Sequence, residues 1–186
     1  MRLLCFVALV VSMSSTEIER AQSIARARDG DRQQFHAHYF VDLADPTVTR
    51  IEVITPFRRL VMICDDHVLR GDWMFSRSVR AAEEALAPFR GLVTLEALIR
   101  FNPLNAFVKP PAYTLAVDGA SVDTQLTPDY SVPFKARDGR MLTSLVGAHL
   151  EAGVRAGRIG QGVHAVGVVL DGRPVASASF DFSVLD

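Results

Sequence analysis

The sequence predicts a mainly β fold, an antiparallel β-sandwich of immunoglobulin-like or jelly-roll type with one short α-helix around 78–89. Three observations carry that expectation. Apolar runs along most of the chain alternate with period two, as strands with one buried and one wet face do. A hairpin signal, Asp171-Gly172 between two such runs, stands near the C-terminus. One segment alone has a persuasive helical period, and no strand–helix–strand alternation announces a parallel sheet.

Taken in order, the N-terminus reads first as a targeting segment. Arg2, an apolar run over 3–13, and small and polar residues beyond it match a secretory signal peptide. Small residues permit cleavage after Ser14, Ser23 or Ala27, and the cut after Ser23 is preferred; a retained amphipathic helix is the alternative. The expected organisation is a signal peptide over 1–23, a flexible polar leader over 24–33, and a single sandwich domain over 34–186. Cys5 lies in the apolar run without a lipobox before it. Cys64 is then the one remaining cysteine, so no intramolecular disulfide is expected, and its apolar neighbours make it a small buried hydrophobe.

The first strand is expected over 34–43, with Phe35, Ala37, Tyr39, Val41 and Leu43 on one face and His36, His38, Phe40 and Asp42 on the other. Asp45-Pro46 turns the chain, and 47–54 resumes with Val48, Ile51, Val53 and Ile54. Thr55-Pro56 interrupts, and 57–64 reads as a third strand-like run. In 78–89, Val79, Ala82, Leu86 and Phe89 recur at helical spacing, with Ser76 or Ser78 as N-cap and Pro88 and Gly91 closing the helix. Trp73, Met74 and Phe75 are expected to pack beneath it.

Strands return over 92–101, where Val93, Leu95, Ala97, Ile99 and Phe101 share a face. The run 107–117 is weaker, because Pro110 and Pro111 cannot donate to a ladder. The stretch 118–140 is rich in Asp, Pro, Gly, Ser and Thr and reads as the longest irregular connection. A strand is preferred over 141–154. The arms 164–170 and 173–185 form the closing hairpin; in the second, Pro174, Ala176, Ala178, Phe180, Phe182 and Val184 oppose Val175, Ser177, Ser179, Asp181 and Ser183.

Composition removes several function classes. The chain has 186 residues with 20 Lys+Arg against 21 Asp+Glu, a net charge of −1, which is not the footprint of a nucleic-acid binder. An apolar content of 49% is too high for disorder, and no apolar stretch is long enough for a membrane span.

For chemistry, His36 and His38 on one strand face would both reach a single divalent metal, with Asp42 further along that face. The segment Gly30, His36-Ala37-His38, Asp42 resembles the first half of a cupin metal motif. Asp stands where that motif has Glu, its following glycine is missing, and no second Pro-Gly-His-Asn half occurs. Asp65-Asp66-His67 is a polar cluster at the end of an apolar run, and His149 and His164 are isolated. No nucleophile elbow, P-loop or paired-cysteine zinc motif is present, so no catalytic set is assigned. Phe107, Tyr113 and Tyr130 flank the Pro-rich loops and are candidates for a binding groove.

The expected function is therefore an exported, periplasmic or secreted, non-enzymatic module that binds a protein, glycan or small ligand through loops 102–112 and 118–140. The alternatives are a cupin-like metal enzyme using His36 and His38, and a structural subunit of an envelope assembly that pairs through an edge strand.

Overall fold

Two larger antiparallel sheets and a layer of helices build the chain, in a computed structural model that describes residues 13–102, 109–135 and 137–185. Helix α1 (Ser15–Ala25) starts from a capping box: Ser14 accepts from the Glu17 N–H while the Glu17 carboxylate accepts from the Ser14 N–H. Helix α2 (Asp29–Ala37) has Asp29 and Asp31 in its first turn, where negative charge suits the helix dipole. Strands β1 (Phe40–Asp42) and β2 (Val48–Ile54) follow. Helix α3 (Pro56–Leu69) leaves β2 without a loop, because Thr55 caps it and Pro56 occupies its first turn. Helix α4 (Val79–Leu86) is capped by Ser78.

The rest is mostly strand. It comprises β3 (Leu92–Arg100), β4 (Tyr113–Val117), β5 (Ala120–Ser121), β6 (Gln125–Tyr130), β7 (Phe134–Lys135), β8 (Met141–Leu142) and β9 (Leu145–Arg155). A short α5 (Ala156–Ile159) then leads to β10 (Val163–Leu170) and β11 (Arg173–Asp181). One sheet has the order β1-β2-β3-β9-β6, the other β11-β10-β4-β5, and β7-β8 is a separate hairpin. Every strand pair is antiparallel. Gly147 sits where β9 passes close to β3: a Cβ there would clash with the Ile99 carbonyl oxygen. At the closing hairpin Asp171 and Gly172 have φ of 49° and 77°, as a type I′ turn requires.

The mainly β expectation holds, with antiparallel sheets, but 39% strand stands beside 31% helix where one short helix was expected. The strand expected over 34–43 is helical through Ala37, with only Phe40–Asp42 in a sheet. The run 57–64 is the heart of α3: Phe57, Leu60, Val61 and Cys64 are spaced to share a helix face. The stretch expected as leader, 24–33, is occupied by the end of α1 and most of α2. Trp73 and Met74 are exposed, and Phe75 packs toward the helices, stacked on His67 with ring centroids 3.6 Å apart.

Two apolar cores result. The larger joins Ile51, Leu95 and Leu150 of the five-stranded sheet to Leu115, Val166 and Phe180 of the four-stranded one. The smaller joins Ile18, Ala21 and Ala25 of α1 to Phe57, Leu60, Val61 and Cys64 of α3 and Ala82 and Leu86 of α4. No helix among the described residues is long and apolar enough to cross a membrane.

Candidate functional site

The polar groups worth weighing gather where the helices meet the outer face of the five-stranded sheet. Arg58, in the first turn of α3, is buried. Its guanidinium donates to the Val53 carbonyl at 2.6 Å, to the Tyr39 carbonyl at 3.4 Å and to the Glu52 carboxylate, while its Nε–H donates to His36 Nδ1 at 3.4 Å. One side chain thus ties α2, the α2–β1 turn, β2 and α3 together.

Sheet register extends the cluster. Glu52 faces Glu96 across β2 and β3, and Glu96 faces Glu151 across β3 and β9. His149, diagonal to Glu96, places Nε2 at 3.1 Å from the Glu96 carboxylate. Burial raises the Glu96 pKa and the neighbouring Glu52 adds to the rise, against the opposing pull of His149. Arg59 donates to the Thr94 hydroxyl at 2.9 Å and lies over the Phe89 ring. Burial lowers the His36 pKa and the Arg58 cation lowers it further, so His36 is neutral near pH 7.

Two clefts flank this region. A cleft of about 300 Å³ is lined by His36, Arg58, Met62, Asp65, Asp66 and Leu69. Its carboxylates are engaged, Asp65 with Arg32 and Asp66 with Arg70. A second, of about 410 Å³, lies between the α2–β1 segment and the end of β11; Tyr39, Phe40 and Val184 give it apolar walls, with His38, Ser179 and Asp181 as polar groups. Neither cleft is lined by Glu96 or His149. That pair is partly buried, Glu96 more than His149.

The metal candidates take separate places. His36 is in the last turn of α2 and faces the first cleft; His38, its C-cap, lines the second. Two residues apart on a helix means about 200° around the axis, so the shared-face geometry of a strand is lost. Asp42 pairs with Arg50 at 2.7 Å, and that bond lowers its pKa. Among the described residues no group of three or more His, Cys, Asp or Glu is arranged to hold a metal.

Among the ligand-binding candidates, Phe107 lies outside the described residues. Tyr113 is buried against Phe101 in the sheet core, and Tyr130 is exposed at the end of β6. His67 bonds Asp72, and His164 bonds Asp118, which raises its pKa. Arg58, Glu52 and Glu96 went unmarked in the sequence reading. Alternation in 92–101 puts Glu96 opposite the core face, but that Glu52 lies beside it depends on which strands pair, which spacing does not encode. No family model, curated protein or solved structure matches this chain.

Proposed function

We propose that this protein is an exported, non-enzymatic interaction module whose two sheets are the layers of a sandwich and whose contact surface is the β7–β8 hairpin and its approach. The observation that carries the reading is the exposure of Tyr130 (49%), Val132 (84%), Phe134 (47%), Met141 (62%) and Leu142 (40%) within one short stretch. Large apolar side chains clustered in water mark a surface that another molecule covers. The hairpin is two residues long on each side, and such an isolated pair has little stability of its own.

Charge selects the occupant. Lys135, Arg137 and Arg140 stand in the hairpin against Asp138 alone, which pairs with Arg140 at 2.7 Å. The reading is therefore a partner protein with an apolar patch rimmed by acidic residues. The sandwich layering is supported by the core that both sheets share.

Replacing Val132, Phe134, Met141 and Leu142 together by Ser is expected to abolish partner capture from a cell-envelope extract while leaving the circular dichroism spectrum unchanged. Raising salt to about 0.5 M weakens wild-type capture, as a basic surface requires. Capture that survives the fourfold change overturns the reading. Binding to phosphatidylglycerol vesicles in place of protein overturns the protein partner. Export is supported by Arg2 and the apolar run 3–13. A cut after Ser23 would remove Ile18 and Ala21, both fully buried against α3 and α4, whereas a cut after Ser14 keeps both and takes only the Ser14 cap from α1. The mass of the exported protein distinguishes the two.

A further inference from the structure

The four edges of the two larger sheets are protected unequally. β1 spans three residues and β5 two, too short to template another strand, and β6 carries Pro128. β11 runs nine residues, and from Ala176 to Phe180 it has neither proline nor charge. Its backbone phase is fixed by the bond from the Phe182 N–H to the Gly162 carbonyl at 2.7 Å, which continues the pairs Phe180–His164 and Ala178–Val166. Even-numbered residues therefore bond to β10, and Ser177 and Ser179 turn their N–H and C=O to the open edge.

The strand is complementary to itself. When β11 pairs antiparallel with a second β11 about a twofold axis at Ser177, Ser177 faces Ser177 and Ala176 faces Ala178. Val175 is the extra residue where the register with β10 shifts, so the regular stretch ends there, and beyond it Arg173 comes beside Asp181 at both ends. The central pair is of the kind that exchanges two backbone bonds, as the outward Ser177 groups require. Proline at position 174 and the bulge opposite Val168/Val169 end regular pairing at the Arg173 side. That end of the second copy meets the cleft of about 410 Å³ in which Ser179 and Asp181 face Phe40 and Val41. Pro174 and Val175 of the second copy suit its apolar wall, and Arg173 suits its carboxylate.

We propose that β11 is a self-association edge: two copies of this chain pair through it antiparallel about Ser177, joining their four-stranded sheets into one of eight strands, with Arg173 of each copy against Asp181 of the other. This surface is separate from the β7–β8 hairpin, and the two proposals stand or fall independently.

The test is the mass in solution of the full chain over a concentration series by sedimentation. A concentration-dependent dimer is expected. Arg173→Glu and Asp181→Lys each set like charges opposite at both ends and are expected to weaken it about tenfold or more. An equimolar mixture of the two variant chains restores two opposite-charge pairs and is expected to dimerise as the wild type does. Ser177→Cys is expected to give an interchain disulfide on mild oxidation, and Ser121→Cys, on the edge strand β5, is not. A wild-type chain that stays monomeric at about 1 mM overturns the proposal. So does a mixture no tighter than its components, or equal crosslinking at positions 177 and 121.

Discussion

In the larger core, β2, β3, β4, β9, β10 and β11 all place apolar side chains together, so each buried residue is held from several directions. The helical core is smaller and rests on α1, α3 and α4. The two are linked by a polar joint. Arg58 donates to the Val53 and Tyr39 carbonyls, to the Glu52 carboxylate and to the His36 ring nitrogen. The contrast teaches that the sheets gain stability by redundancy, whereas the helices are tied to the sheet by a few polar bonds, most of them made by Arg58 and one by Arg59.

Removing the Arg58 charge is expected to have the largest effect. Arg58→Leu leaves the Glu52 carboxylate and two carbonyls without their donor and is expected to cost about 4 kcal/mol in urea unfolding. A loss below about 1 kcal/mol would mean that packing alone holds the joint. Next come matched cavities: Leu60→Ala in the helical core and Leu150→Ala in the sheet core, each expected to cost about 3 kcal/mol. Hydrogen exchange separates them. Leu60→Ala is expected to speed exchange in α1, α3 and α4 while β3 and β9 stay protected, whereas Leu150→Ala lowers protection in both regions. Equal loss everywhere after Leu60→Ala would merge the two cores into one cooperative unit.

Acid gives a smaller, signed effect. The His36 pKa is lowered in the folded state by burial and by Arg58, with Asp65 and Glu52 opposing. The unfolded chain therefore binds the proton first. Stability falls as pH drops through about 6.5, the ordinary histidine value, and His36→Gln is expected to flatten that part of a melting-temperature profile. Smallest is Glu96, whose folded pKa is raised. Its contribution is present below the ordinary carboxylate value and lost as pH rises above it. Glu96→Gln is expected to be neutral or to stabilise by up to about 1 kcal/mol at pH 7, read by urea unfolding.

The sheet side was the legible side. Alternation over 92–101 matches Leu92–Arg100, with Val93, Leu95, Ala97 and Ile99 buried, and Asp171-Gly172 marks its turn. Asp118-Gly119 carries the same signature, with φ of 49° and 81°, and turns β4 into β5; the Pro, Ser and Thr content beyond it hid the hairpin. The helices were masked for physical reasons. Leu60 to Cys64 is a continuous apolar run, which suits a buried strand as well as a helix. Thr55-Pro56 reads as a break, yet a threonine cap followed by proline is also how a helix begins. The alternation over 34–43 arises from a helix end and a short strand in succession. Of the polar joint, His36 was visible as a residue of interest. Its partner Arg58 was not, because a buried arginine beside a second arginine looks like surface until the fold surrounds it.

Cys64 gives the helical layer a built-in clock. It lies fully buried in the helical core, and burial pushes its thiol up to about 11. Near neutrality about one thiol in ten thousand is ionised, so a thiol reagent meets almost no nucleophile while the layer is closed. Modification of the Cys64 peptide, followed by mass, therefore counts openings of α1, α3 and α4. Its rate against urea reports the free energy of that opening in the wild-type chain, without any substitution.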